Sequence, residues 1–295
     1  MKYTSDDPYT DTETGVLKNR LGLKKQETLD QYEAAFAFAR SVELSVKPIK
    51  GNFDLEHLKA IHKQLFCDVY EWAGNVRTVD ISKGENRFAN AHHIESYAPK
   101  ISKALEGESH LKNLPPKQFA ERAAYYMGEL NVLHPFREGN GRALREFMGQ
   151  LAKEAGYEIH WNQMTQDEMV KASIAAFHGD HRPLFKLIHI NLHDIDHDRA
   201  LEIARHVLGD KVKITRPREN VSYCGDIIGT TDRYVVQVDN EHNNEVILHQ
   251  KAVMPEKVEE LAKNSVDIHY TSDGVCEIKA DEKSQSRDGY SMGRG

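Results

Sequence analysis

The 295 residues are 39% hydrophobic and 29% charged with a net charge of -7, enough apolar content for one large or two modest domains. The acidic excess argues against general affinity for nucleic acid or anionic membranes. No apolar run approaches the ~18 residues of a membrane span, and the amino terminus has no signal-peptide core. Cys67, Cys224 and Cys276 are too scattered for a zinc site or a disulfide framework and read as thiols in a reducing compartment. The cytoplasm of the producing bacterium is therefore the expected location.

In chain order, Leu29, Tyr32, Ala35, Phe36 and Ala39 recur at helical spacing and predict a helix over 26–44. Leu55, Leu58, Ile61 and Leu65 predict a second over 54–66, with Asp54 as its N-cap. Val79 and Ile81 then alternate ahead of a Lys83-Gly84-Glu85-Asn86 turn followed by Arg87, Phe88 and Ala89, the pattern of a short hairpin. Helices are expected at 94–105, 116–131, 143–155, 165–177 and 182–192, punctuated by Gly156, Gly179 and Pro183.

Between the helices at 116–131 and 143–155 runs His134-Pro135-Phe136-Arg137-Glu138-Gly139-Asn140-Gly141-Arg142-Ala143-Leu144-Arg145. Gly139 and Gly141 let backbone N–H groups approach a bound anion, and the following helix points its N-terminus at the same place. Arg142 and Arg145, three apart on that helix, can clamp phosphate oxygens in the planar, bidentate way that lysine cannot. Glu138 is a hard oxygen ligand suited to Mg²⁺, and His134 is placed to accept a proton from a hydroxyl. Singly these are ordinary turn and surface residues; together they describe a phosphate-handling site.

After a helix at 195–207 the texture changes near Gly209-Asp210. Strands at 212–214, 221–228, 234–238 and 245–248, a helix at 255–263 and strands at 266–270 and 274–279 suggest a small, partly closed barrel of the OB type. The expected organisation is a mainly α domain over 1–208, an OB-like β domain over 209–280 and a polar, disordered tail over 281–295. The β half, from 205 to 279, carries ten Lys/Arg against thirteen Asp/Glu, so a spacer or protein-docking role fits better than nucleic-acid binding. His189, His193 and His197 recur every four residues without a Cys or Glu to complete a metal set, and read as solvent-facing.

The loop from His134 to Arg145 resembles the core motif of the Fic family, HPFx(D/E)GNGRxxR, and matches it at every defined position. Tyr70-Glu71-Trp72-Ala73-Gly74-Asn75-Val76-Arg77 resembles the family's YEWAGxxR segment, with its β-hairpin flap following. A helical core ahead of an OB-like domain is similar to Bartonella effector-type Fic proteins. The resemblance implies transfer of AMP from ATP to a Ser, Thr or Tyr hydroxyl of a target protein. His134 is then the base and Glu138 the Mg²⁺ ligand, while Gly139, Asn140 and Gly141 form the anion hole. Arg142 and Arg145 orient the β- and γ-phosphates, and Phe136 anchors the loop. Lys83, Gly84 and Arg137 are also expected at the nucleotide. Glu85, Asn86, Arg87 and Phe88 are expected to hold the target segment by main-chain pairing. Rival readings are transfer of another group, removal of AMP, or a non-catalytic docking scaffold.

Many Fic proteins are silenced by a helix bearing (S/T)xxxE(G/N), whose glutamate pairs with the second motif arginine. The pattern occurs at Ser102-Lys103-Ala104-Leu105-Glu106-Gly107 and at Thr215-Arg216-Pro217-Arg218-Glu219-Asn220. The first lies inside a core helix and the second contains a helix-breaking proline. Both read as coincidence, which leaves a separate antitoxin-like protein pairing in trans with Arg145 as the expected inhibitor. Translocation into a host cell is the alternative to a cytoplasmic life, although no secretion module follows the OB-like part.

Overall fold

The computed structural model describes residues 7–84, 86–240, 245–255, 265–272, 274 and 276–280. The chain divides into two compact units, Met1–His193 and Asp194–Gly295.

The first unit is helical. Helices α1 (Gln26–Val46), α2 (Leu55–Phe66), α3 (Ile94–Gly107), α4 (Pro116–Leu133), α5 (Asn140–Glu154), α6 (Gln166–Phe177) and α7 (Arg182–Ile190) follow the spacing of the apolar residues. Asp54 caps α2 by accepting from the His57 N–H at 2.9 Å, and Thr165 with Glu168 closes a capping box on α6. Helix α4 is buried on most of its surface, through Phe119, Ala120, Ala123, Ala124, Met127 and Leu130, and so forms the centre of the bundle. A two-stranded flap, β1 (Ser82–Lys83) and β2 (Asn86–Arg87), pairs antiparallel with Ser82 opposite Arg87. Two short strands that periodicity does not announce, β3 (Tyr157–Ile159) and β4 (Leu192–Asp194), form another small sheet.

The second unit holds α8 (Ile195–Leu208) and strands β5 (Ile214–Thr215), β6 (Ser222–Thr230), β7 (Tyr234–Asp239), β8 (Glu245–Gln250), β9 (Ser265–Tyr270) and β10 (Cys276–Ala280). Strand β6 pairs with β9 along its first half and with β7 along its second, with an irregularity between Ile227 and Gly229. One long strand shared in this way curls the sheet toward a barrel. Gly225 permits the curl, since a Cβ there would lie 1.9 Å from the Val238 carbonyl oxygen. Asp194 caps α8, accepting from the His197 N–H at 2.9 Å, and also accepts from the Tyr234 hydroxyl at 3.0 Å. Ala200 and Ala204 of α8 pack on Tyr234, Val236 and Leu248. Helix α8 therefore belongs to the β unit, and the division falls at Asp194, ahead of the expected position at Gly209. The helix expected at 255–263 lies almost wholly outside the described residues, as does the tail.

Candidate functional site: a cleft at the α4–α5 loop

The loop is set by its local chemistry before any ligand is considered. His134 ends α4 in the left-handed conformation, φ 44° and ψ 61°, which turns the chain sharply out of the helix. The Asn140 side chain accepts from the Phe136 N–H at 2.9 Å and donates to the Phe136 carbonyl at 2.7 Å, closing the turn on itself. Gly139, at φ 80°, is the N-cap of α5, and a Cβ there would strike the Phe66 ring at 2.5 Å. Helix α5 therefore starts at Asn140 within the motif, not at Ala143 as periodicity suggests.

Two buried clamps fix the loop to the bundle. Phe136 is fully buried and stacks on His62 with ring centroids 3.8 Å apart. His62 donates from Nε2 to the Glu138 carbonyl at 2.9 Å and accepts the Gly74 N–H on Nδ1 at 2.9 Å. Burial pushes the His62 ring down to about 4, so it serves as a neutral bridge. Arg77, also fully buried, donates from Nε to the His134 carbonyl at 2.8 Å and from Nη1 to the Val79 carbonyl at 2.7 Å. It reaches the Ala89 carbonyl as well, and its own N–H donates to the Pro135 carbonyl at 2.9 Å. The Tyr70–Arg77 segment is thus the scaffold of the loop and of the flap's base.

Most of the expected site side chains line one cleft of about 830 Å³. Lys83, His134, Glu138, Gly139, Asn140, Gly141, Arg142 and Arg145 line it together with a largely apolar surface that includes Met164, Met169, Ile174 and Phe177. Convergent polar groups within a mostly apolar lining are what a nucleotide site requires, the first for phosphates and the second for a base. The Asn140 and Gly141 N–H groups, in the first turn of α5, have no protein acceptor among the described residues.

His134 Nδ1 is 3.1 Å from the Asn131 carbonyl oxygen, which requires a proton on Nδ1 and leaves the Nε2 lone pair free to act as a base. Its ring stacks on Phe88 at 3.6 Å, and burial pushes it down to about 3, with the Asn131 hydrogen bond acting in the opposite sense. Glu138 accepts the Gly139 N–H on Oε1 at 3.1 Å. Arg145 lies below the usual guanidinium range because it is buried and close to the Arg142 cation.

One expected site residue lies off the cleft and one flap residue turns into it. Arg137 is fully buried and donates from Nη2 and Nε to Asp7 at 2.6 and 3.1 Å. Its guanidinium ties the N-terminal segment to the loop and does not line the cleft. Phe88, expected on the target-holding flap, packs inward against His134 and Phe177 because its ring is large, apolar and only 8% exposed. Arg87 stays outside and pairs with Asp80 at 3.1 Å. Gly84 forms the flap turn at φ 63°, and Glu85 lies outside the described residues. Asp7, Glu33, His62 and Arg77 are the supporting residues that sequence reasoning did not single out; only Arg77 carried a signal, as the last position of the YEWAGxxR segment.

Burial alone would raise the Asp7 carboxyl, but hydrogen bonds from Arg137, Thr10 and the Tyr9 N–H hold it below the usual carboxylate range. A depressed folded value means that this pair stabilises the fold above about pH 4 and stops doing so as pH falls through the lower folded value. Asp7→Asn is expected to cost about 3 kcal/mol at pH 7, the scale for breaking a buried pair. Urea unfolding of both proteins at pH 7 and pH 3 checks this, since the difference should shrink at the acid end.

Among the described residues no cluster of three or more His, Cys, Asp or Glu side chains forms a metal site, and no helix is long and apolar enough to cross a membrane. Residues 52–152 match the family model described as Fic/DOC family. The chain is 52% identical over 203 residues to the protein adenylyltransferase VbhT of Bartonella schoenbuchensis, covering 69% of this chain but only 42% of that protein. It is 36% identical to the probable protein adenylyltransferase Fic of Escherichia coli, over 59% of this chain and 86% of that one. Among solved structures, the BepC effector of Bartonella tribocorum with bound AMPPNP superposes with a TM-score of 0.61 at 32% identity, over 63% of this chain and 96% of that one. The chain belongs to the Fic/DOC family.

Proposed function

We propose that the chain is a nucleotidyltransferase acting on proteins: it moves AMP from ATP to a Ser, Thr or Tyr hydroxyl of a target and releases pyrophosphate. The observation that carries this reading is the convergence on one cleft of a neutral His134, Glu138, the free N-terminus of α5 and the Arg142 and Arg145 guanidinium groups. The names of VbhT and the Escherichia coli Fic protein support the reaction class, and the AMPPNP in the BepC structure supports ATP as co-substrate.

The triphosphate lies across the first turn of α5, with the Asn140 and Gly141 N–H groups and the two arginines taking its oxygens. Lys83 and Gly84 border it from the flap, which also holds the target chain in register. His134 Nε2 takes the hydroxyl proton as the oxygen attacks the α-phosphorus; the bond from that phosphorus to the bridging oxygen breaks, and the electron pair leaves on pyrophosphate. Positioning and charge neutralisation supply most of the rate. Mg²⁺ fits the donors present, because it is commonly held by one or two carboxylates plus substrate phosphates, and Glu138 is the carboxylate in the cleft. When bound, it would neutralise phosphate charge.

An inhibitor acting in trans would place an acidic group on Arg145, which has no acidic partner among the described residues. By likeness to BepC, described as VirB-translocated, the chain is also a candidate for export from the producing bacterium.

Incubation with Mg²⁺, α-³²P-labelled ATP and bacterial or host lysate tests the proposal. Label should appear on a protein band with the wild type and vanish with His134→Ala and with Glu138→Ala. Equal labelling by all three, or labelling by none with any nucleotide, would sink it.

A further inference from the structure

Two carboxylates that precede the matched span of 52–152 reach into the motif loop. Asp7 holds Arg137, and Glu33 of α1 pairs with Arg142. The second pair is the more consequential, because both of its members line the cleft.

Glu33 is 6% exposed and shares the buried side of α1 with Leu29 and Ala37. Its Oε1 accepts from Arg142 Nη2, and its Oε2 accepts from the Tyr70 hydroxyl. Tyr70 is itself buried and stacked on Trp72, with centroids 4.4 Å apart. The Arg142 guanidinium lies 4.8 Å above the Phe66 ring, while 31% of the side chain remains exposed.

We propose that Glu33, braced by Tyr70, is a positioning residue that fixes the Arg142 guanidinium for a nucleotide polyphosphate. This rests on the nucleotidyl-transfer reading above. A guanidinium has five N–H donors in a rigid fork, so engaging Glu33 on one nitrogen leaves others for phosphate oxygens. An arginine left free would have to lose its rotamer freedom when the nucleotide arrives; one held by a buried carboxylate and a ring face has already lost it. A retractable carboxylate that competes with phosphate for Arg142 is the opposite device. The Tyr70 bond on the second oxygen and the burial of α1 both oppose such a movement.

The test measures binding of Mg²⁺–AMPPNP, Mg²⁺–ADP and AMP to the full chain by calorimetry, together with kcat and KM for ATP. The proteins are wild type, Glu33→Ala, Glu33→Gln and Tyr70→Phe. Glu33→Ala should weaken AMPPNP and ADP about tenfold, the scale of one charge-assisted hydrogen bond, and leave AMP nearly unchanged. KM for ATP should rise more than kcat falls. Glu33→Gln should recover part of the affinity because it still accepts a hydrogen bond, and Tyr70→Phe should fall between. Equal losses for all three ligands, or a fall in active fraction with KM unchanged, would mean that Glu33 supports only the fold and would overturn the proposal. Tighter AMPPNP binding or faster transfer in Glu33→Ala would identify the retractable gate and overturn it too. A wild type that binds no AMPPNP would instead point to failure of the transfer reading itself.

Discussion

His134→Ala is expected to lower the rate of AMP transfer by about 10²–10⁴-fold, the range for loss of a general base, while ATP binding is retained. The reasoning is geometric before it is electrostatic. The Asn131 carbonyl takes the Nδ1 proton and so commits Nε2 to the lone pair, and Phe88 holds the ring plane. Among the described residues no hydrogen bond links His134 to Asn140, Gly141, Arg142 or Arg145, the groups proposed to hold the phosphates, so nucleotide binding is expected to survive its removal. The pH profile adds an independent check. Burial against Phe88 pushes the ring down to about 3, so kcat/KM should show no acid limb near 6.5. An acid limb at 6–7 that disappears in the variant would show a solvated histidine and count against this geometry.

The same burial has a consequence for stability. His62, His134 and His249 are held neutral at about 4, 3 and 3, whereas an unfolded histidine titrates near 6.5. Below 6.5 the unfolded chain binds more protons, so the fold loses stability as pH falls from there toward the folded values. Unfolding midpoints in urea should therefore drop between pH 6.5 and 4, and His62→Gln should flatten that slope within the helical unit.

What could be read in the sequence was whatever is local in the chain. Apolar spacing placed the helices of the first unit, Asp54 announced the start of α2, and the residues from His134 to Arg145 carried their chemistry in one stretch. Periodicity misplaces the start of α5 because that start depends on Asn140 binding back to Phe136 and on the left-handed Gly139, neither of which has a periodicity. Glu33 and Asp7 are silent in the sequence for a different reason. A lone acid on a helix or near a terminus looks like solvated charge, and its partner lies 109 or 130 residues away. The part played by α8 was also hidden, since its small Ala200 and Ala204 face acquires meaning only against the strands it covers.

The second large effect should come from Arg77, a residue that touches no substrate. Its side chain is fully buried and donates to the carbonyls of His134, Val79 and Ala89, joining the end of α4 to both ends of the flap. Burial holds its guanidinium somewhat below the usual range, with Asp80 acting in the opposite sense at 3.9 Å, so the cation persists because carbonyl dipoles surround it. Removing it leaves several buried acceptors without donors, at about 1–3 kcal/mol each. It also frees His134, which sits at φ 44°, a conformation a side-chain-bearing residue keeps only when its surroundings hold it there. Arg77→Ala is therefore expected to cost roughly 3–5 kcal/mol in urea unfolding. Transfer should also fall at temperatures where the variant is still folded, because the base is no longer aimed. Arg77→Lys should rescue little, since one ammonium cannot span three carbonyls that a planar fork reaches together. If Arg77→Lys were as stable and as active as the wild type, the guanidinium would not be what aims His134, and the loop would be held instead by the His62 bridge, the Asn140 turn and the main-chain bond from residue 77 to Pro135.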